Sequence, residues 1–522
     1  MDQSASTVDS PDSAPQGFGL WDRLSRLPAQ LLGRNPFSGD LLPGRVPIFA
    51  GGSRRPSLPF PHPWNYRDPL RILDTYFHGT ESASGAAKHN RFLDVPGFPQ
   101  VLVTRDPAVI RAICNETGNQ PGQFDRDTLP SAGIARATGK DTLLYSNGSI
   151  WRRQRKLAAP PFGKTTLFQP EMFHEFEGTF RQTIARRLQV LSDFLAASGK
   201  SSAVVALEPE IKVVMLEMLT NNFFGTQIEY DELRNRYVPA IERLIDHIVR
   251  DTVTNTLGLP LKKLPAITKS IAQAKRDDAT FDELTDLVLA GRKKGRGLWR
   301  QFRSDAPDAA LRSNLRVFLA GALEATTSYA TWALSHLSRN MAAQEKVFRE
   351  IARIDDYTPD KLDEACYFCR VLEETLRLTP SLYFLPRQAT VDTTVTIADG
   401  RTMRIPARTH ILLAVWHANR HDDHWGPEVT GYPAAEFHPE RWEHLASAGR
   451  ASKEMLHFGF GHGPRVCPGK HLGQLEVALV VGAIVKMFRF RAVHPKCAPR
   501  AGVSTKPSDG TLVELERRDS RS

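Results

Sequence analysis

Cys467 sits in the string Phe460-Gly461-His462-Gly463-Pro464-Arg465-Val466-Cys467-Pro468-Gly469, where the chain concentrates most of its chemistry. Glycines at 461, 463 and 469 allow the backbone to bend tightly and to approach something flat and bulky. The cysteine ends this loop just before a helical pattern that runs from Lys470 to Phe488. Its sulfur should therefore face unpaired N–H groups and the positive end of a helix dipole, a setting that favours a thiolate. Arg465 is placed to pair with an anionic group nearby. Three other readings compete. Gly459, Gly461 and Gly463 suggest a phosphate loop, but no strand precedes them and no Lys-Ser/Thr follows. A lone cysteine is most often a buried structural thiol. A nucleophile would need a partnering histidine.

Other chemistry-bearing residues recur at helical spacing. Glu374 and Arg377 stand three apart on one helix face, a pair that any surface helix can carry. Trp151 and Arg155 lie one turn apart, with Arg152 and Arg153 between them suited to a solvated basic face. A helical pattern from Asn314 to Asn340 contains Gly321-Ala322-Leu323-Glu324-Ala325-Thr326-Thr327, an acid and hydroxyls among small residues.

Taken whole, the cysteine string resembles the ligand signature of the cytochrome P-450 family: Phe, two residues, Gly, one residue, an Arg two before Cys, and Gly two after. Glu374-Thr-Leu-Arg377 resembles the family's Glu-x-x-Arg pair. Phe437-His-Pro-Glu-Arg441-Trp442 resembles the segment that completes it, with Arg441 as third member. The Trp151 segment resembles the family's Trp-x-x-x-Arg helix, and Arg387 stands where another partner of a haem propionate is often found. The Gly321 segment resembles the oxygen-binding helix. The resemblance runs from about residue 65 to 515, in the family's order.

The resemblance implies a mainly α fold with small β sheets, the cytochrome P-450 fold. A tail over 1–45 would precede one haem-thiolate domain over 46–522. It implies haem b with Cys467 as metal ligand and Trp151, Arg155, Arg387, Phe460 and Arg465 around the cofactor. Glu374, Arg377 and Arg441 become a structural triad. Glu324 and Thr326 become the catalytic pair, and Ala322, Leu323, Ala325, Leu382, Tyr383 and Phe384 the substrate pocket. The implied reaction inserts one atom of O2 into a hydrophobic small molecule, with electrons from a separate ferredoxin or flavoprotein reductase.

Ala325 departs from the family pattern, which places a hydroxyl there. Thr326 is one residue on, about 100° round an α-helix. Protons would then arrive through water anchored by Glu324 and Thr326, or through a hydroxyl on the substrate. Ala325 also keeps two rival activities in view, a haem-thiolate peroxygenase and an isomerase or dehydratase. A non-catalytic haem sensor is the rival of another class.

The elements that must position these residues are legible in outline. A strand-like piece covers Val101 to Thr104, and residues 150–380 read mostly as helix. Residues 386–415 read as strands with a turn at Asp399-Gly400, and a loop region follows to about 465. Gly291 to Gly297 reads as a solvated basic loop. Leu20, Leu24, Leu27 and Leu31 recur at helical spacing in a segment that could lie on a membrane surface, though docking on its own domain is favoured. No apolar run reaches the roughly 20 residues of a membrane span. Five irregularly spaced cysteines argue against a disulfide framework and for a reducing compartment. The net charge of +10 fits an acidic protein partner or an anionic surface, and no nucleic-acid motif accompanies it. These features point to a cytoplasmic monomer with at most peripheral membrane contact. Two further groups have metal-like spacing: Cys366 with Cys369, assigned to core packing, and His417, His421 and His424, assigned to a hydrogen-bonded loop.

Overall fold

The computed structural model describes residues 86–93 and most of 100–518, with Leu24, Leu70, Leu73, Asp74 and Phe77 as isolated positions before them. Stretches such as 119–121, 128–137, 256–264 and 450–456 lie outside the described residues. So does the expected tail over 1–45, apart from Leu24.

Helix α1 (Ala86–His89) leads straight into β1 (Asn90–Leu93), which pairs antiparallel with β2 (Val101–Thr104). Asp106 then caps α2 (Pro107–Glu116) by accepting the N–H groups of Ala108 and Val109, with proline in the first turn. After β3 (Phe124–Asp125) comes α3 (Gly148–Ala158), which carries Trp151 and Arg155. The long helical region follows: α4 (Pro170–Ala197), α5 (Glu208–Glu217), α6 (Val238–Asn255), α7 (Pro265–Ala290) and α8 (Asp308–Gly321). It is interrupted by β4 (Ser202–Ala206), a strand that the helical reading of 150–380 did not contain. The Gly291 segment is one helical turn, Gly291–Lys294, with Arg292 paired to Asp308 at 2.5 Å.

A π-helical turn, Ala322–Thr326, joins α8 to α9 (Thr327–Arg339). Next come α10 (Met341–Ile351) and α11 (Cys366–Leu378). Four strands then lie within the expected stretch: β5 (Leu385–Ala389), β6 (Thr393–Thr396), β7 (Thr402–Ile405) and β8 (His410–Leu413). The turn between β6 and β7 is at Asp399-Gly400, and Gly400 has φ of 84°, which glycine adopts without a Cβ clash. β8 runs parallel to β2, giving the sheet order β1-β2-β8-β5-β3. This pairing draws the region around residue 100 against the chain near 410. Short helices α12 (Asp422–Trp425) and α13 (Glu440–Ser447) occupy the region read as loop.

The final helix, α14 (Lys470–Met487), buries Leu472, Leu475, Val477, Leu479, Val480, Val481, Ile484 and Val485. Its stretch from Val477 to Val485 is apolar on all sides and belongs in a core, with Glu476 buried beside it. Each fully buried large apolar side chain contributes roughly 1.5–3 kcal/mol. Among the described residues no helix is long and apolar enough to cross a membrane. β9 (Phe488–Ala492), β10 (Pro499–Ala501), β11 (Thr505–Pro507) and β12 (Leu512–Arg517) close the chain. β12 pairs with both β9 and β4, and β10–β11 form a hairpin.

One buried ionic cluster connects α11 to the cysteine loop. Glu374, Arg377 and Arg441 are each 0% exposed. Arg377 donates to both Glu374 oxygens at 2.9 and 2.8 Å, and Arg441 donates to one at 3.3 Å. Both guanidiniums also hold backbone carbonyls: Arg377 those of Asn419 and Ala434, Arg441 those of Trp425 and Pro433. Asn419 passes the connection on by donating to the carbonyl of His457 at 2.7 Å. His457 in turn accepts the Gly459 N–H at 3.0 Å, where the cysteine loop begins.

Removing one member of such a cluster leaves the others buried and uncompensated. We expect Glu374→Gln to cost about 3–5 kcal/mol, read as a lower urea midpoint. Replacing Arg401 in the exposed Asp399–Arg401 pair should leave the midpoint unchanged. Equal midpoints for both variants would remove the cluster from its organising role.

Candidate functional site

The cysteine loop is a series of tight turns. The Gly461 N–H donates to the carbonyl of Phe458, that of Val466 to Gly463, and that of Cys467 back to Phe460. Gly461 and Gly463 have φ of 76° and 71°. At Gly463 a side chain would also collide with the carbonyl of Cys114, so glycine is required there on two counts. Arg155 clamps the loop from α3 by donating to the Val466 carbonyl at 2.8 Å.

Cys467 has accessible surface although it lies deep in the fold, so it faces an interior space. Burial pushes its thiol pKa up, against the Gly469 N–H, Arg155 and Lys470, which favour the anion. Burial thus opposes the thiolate that the loop's N–H groups and nearby cations favour. A coordinated metal cation reverses that balance, because a ligating thiol is deprotonated outright.

Beside the loop lies a cluster of cations, Arg387 buried and Arg126, Arg155 and Arg465 half-buried. Arg126, Arg155, Arg387 and Arg465 approach closely enough to perturb one another. Burial and the neighbouring Arg387 push Arg126 down to about 9. Arg465 falls well below its ordinary value through burial, with Arg126 and Arg387 next in effect. Arg465 does reach the Ser146 carbonyl at 2.9 Å and Asn147 Oδ1 at 2.7 Å, and its guanidinium stacks 4.4 Å from the Trp151 ring centroid. Its Nε and Nη1 nonetheless remain buried without a hydrogen-bond partner, as does Arg126 Nε. Arg387 donates to Thr117 and to the Pro386 carbonyl. Asp127, a nearby acid, is engaged by His410 at 2.6 Å. Cations with buried, orphaned N–H groups call for an anionic ligand. Two carboxylates on a flat group held by Cys467 would supply it, so the residues present fit a haem.

The helix opposite departs from α geometry where the sequence departs from the family pattern. The π-turn at Ala322–Thr326 bonds i→i+5 in place of i→i+4, which shifts the register of the residues that follow relative to an unbroken α-helix. The Thr326 hydroxyl donates to the Ala322 carbonyl, and the Ser381 hydroxyl donates to the Ala325 carbonyl at 3.0 Å. A methyl group on Gly473 of α14 would lie 3.6 Å from Thr326 Cγ2 and 4.0 Å from Phe460 Cε1, so the break lies against the start of α14.

Glu324 is buried, and Lys506 on β11 donates to both its oxygens at 2.8 and 2.9 Å. Ser504 adds a third bond at 2.7 Å. Burial raises the Glu324 pKa, but Lys506 and Ser504 outweigh it and hold the carboxyl below its usual range. The paired acid is therefore ionised and fully engaged.

The expected pocket residues divide into two sets. Ala322, Ala325 and Phe384 are half-buried, and Leu382 is exposed. Leu323 is 0% exposed within the main core, a correction to its expected place in the pocket. Tyr383 is buried as well, in a cluster that includes Trp332 and Trp416; its ring centroid lies 5.0 Å from that of Phe384, and its hydroxyl donates to the Gly502 carbonyl. Sequence reasoning missed Arg126, Ser381, Ser504 and Lys506, none of which carries a local spacing signal.

A family model described as cytochrome P-450 matches residues 94–512. The chain is 26% identical to piperic acid synthase of Piper nigrum, over 75% of this chain and 73% of that protein. It is 25% identical to a cytokinin hydroxylase of Arabidopsis thaliana, over 76% of each chain. It is 22% identical to 11-oxo-beta-amyrin 30-oxidase of Medicago truncatula, over 82% of this chain and 80% of that protein.

The arginine cluster yields a test with opposite signs in two states. Arg126→Gln should raise the melting temperature of the haem-free protein, because it relieves repulsion among clustered cations. The same change should speed haem loss to an acceptor protein roughly ten- to hundredfold, the equivalent of a charge-assisted hydrogen bond of about 1.5–3 kcal/mol. A haem-free variant that is less stable, or an unchanged haem off-rate, would count against this account.

Proposed function

The chain belongs to the cytochrome P-450 family and is a haem-thiolate monooxygenase, and from that premise we propose that Cys467 is its iron ligand and that Arg126, Arg387 and Arg465 hold the haem propionates. The observation that carries this reading is the accessible, deeply placed Cys467 beside arginines with buried N–H groups that have no partner. When bound, haem with a thiolate ligand supplies the activation of O2 by donating electron density that favours O–O cleavage. Trp151 stacks on Arg465 and Arg155 holds the loop carbonyl, so α3 fixes the orientation of both groups.

On the opposite side, Glu324 and Thr326 form the proton-handling region, with Lys506, Ser504 and Ser381 as partners. Lys506 keeps Glu324 ionised, and the hydroxyls of Thr326 and Ser381 stand at the helix break where residue 325 lacks one. Glu324 must release Lys506 or pass a proton through Ser504 to act. The accessible apolar surfaces of Ala322, Ala325, Leu382 and Phe384 support a hydrophobic organic substrate.

Electrons come from a separate acidic protein. Arg152, Arg153, Lys156 and Lys164 are exposed around the cysteine loop, and Lys470 lies beside it. The five free cysteines support a reducing, cytoplasmic setting.

Cys467→Ala should abolish the red-shifted Soret band of the reduced, carbon monoxide-bound protein, whereas Cys366→Ala and Cys369→Ala should keep it. A surviving band in Cys467→Ala would overturn the assignment. For the acid, the folded-state pKa of Glu324 is depressed, so its stabilising contribution is present above the unfolded value near 4.5 and lost as pH falls through the folded value. Lys506→Met removes the largest opposition to burial, leaving only Ser504 and the more distant Lys212. The acid limb of reductant-driven turnover should then move to higher pH, while peroxide-driven turnover changes less. An unmoved pH profile would exclude Glu324 from proton handling. Changing Arg152, Arg153 and Lys156 to Glu should slow reduction by an acidic reductase and flatten its salt dependence, since steering is screened over about 10 Å at 0.1 M.

A further inference from the structure

Three imidazoles that the reading above leaves unused converge from two distant parts of the chain. His89 closes α1, His421 stands at the N-terminus of α12, and His424 lies within that helix. One ring nitrogen of each lies within 4.8 Å of the others. The ring centroids are 4.8 Å apart for His89 and His421, 4.8 Å for His89 and His424, and 5.6 Å for His421 and His424. Imidazoles bound tetrahedrally to one ion at about 2 Å would hold their centroids roughly 5 Å apart.

The hydrogen bonding points the same way. His89 Nε2 faces Asp423 Oδ2 at 3.1 Å, which places the ring proton on Nε2. Its Nδ1 is left buried with no partner, and so is His424 Nε2. His89 is 9% exposed, so water does not compensate that nitrogen. A histidine whose second nitrogen donates to a carboxylate is the usual form of a metal ligand. His421 accepts the Asp423 N–H through Nδ1, so an ion taking that nitrogen replaces one cap bond. Lys88 and Arg105 are the nearby cations, Asp423 and Asp106 the nearby anions, and they offset one another. His424 also opens onto a cleft of ≈ 780 Å³ between α2 and β6, which gives an ion a route in.

We propose that His89, His421 and His424 bind one divalent transition-metal ion of the zinc type, with Asp423 orienting His89. Imidazole donors suit zinc, copper and nickel better than calcium or magnesium. Such an ion ties α1 to α12 across more than three hundred residues of chain. It does so beside Asn419 and Trp425, whose carbonyls hold Arg377 and Arg441. The site is structural and lies apart from the residues assigned to the haem.

The test uses full-length haem-loaded protein, stripped with a chelator, desalted and dialysed against micromolar Zn²⁺. Zinc and iron are then counted by mass spectrometry, and melting is followed with and without zinc. The expected result is a single zinc per chain in addition to haem iron, with a higher melting temperature when zinc is present. His89→Ala and His424→Gln should each lose the zinc and the melting shift. Asp423→Asn should weaken zinc roughly ten- to hundredfold. The carbon monoxide-bound spectrum should be unchanged in all three, which certifies their fold. Cys366→Ala and Cys369→Ala should retain zinc. Failure to hold zinc at micromolar concentration would overturn the proposal. So would equal retention by the histidine variants, or loss of zinc from the cysteine variants instead.

Discussion

Glu374 lies wholly buried between Arg377 and Arg441, and the arrangement is stable only because every charged atom has somewhere to point. The two guanidiniums have more donors than one carboxylate can accept. The surplus goes to backbone carbonyls of residues 419, 425, 433 and 434, which brings an otherwise irregular stretch to one place. From Asn419 the order passes to His457 and Gly459, and so to the turns that present Cys467. The sulfur owes its position to a cluster that never touches it.

Two other ionic groups follow opposite logic. At Glu324 the charges close on themselves: Lys506 satisfies both carboxylate oxygens and Ser504 adds a third bond. Around Arg126, Arg387 and Arg465 they do not close, and buried donors are left without partners. A protein can bear such an imbalance where a ligand of opposite charge completes it. In the proposed reading the closed pair would tune a proton group and the open cluster would receive the haem.

The break between α8 and α9 accounts for the mismatch at Ala325. The family pattern places a hydroxyl at the residue after Glu324, and here that residue is alanine. The π-turn alters the register, Thr326 bonds back to Ala322, and Ser381 approaches from another segment. Two hydroxyls from other positions therefore stand at the break.

By itself the sequence determined the mainly helical architecture, the strand at 101–104 and the turn at Asp399-Gly400, because each rests on periodicity or turn chemistry within a few residues. The cysteine loop and Glu374 with Arg377 were legible through their resemblance to the family's motifs. Beyond the Glu374–Arg377–Arg441 triad that the resemblance implied, only the tertiary structure decided which charges meet. Lys506 reaches Glu324 across 182 residues, and Arg126 joins Arg465 from another element altogether. It also divided the apolar residues near the site, sending Leu323 and Tyr383 into the core although their neighbours stay accessible. The histidines make the contrast plainest. Spacing grouped His417 with His421 and His424, yet His417 turns to Asp74 at 2.8 Å, and His89 takes its place in the cluster. Spacing along a chain reports which side chains share a local face. Which faces come together depends on strand pairing and core packing, and the β2–β8 pairing is what draws the chain near residue 100 against the chain near 410.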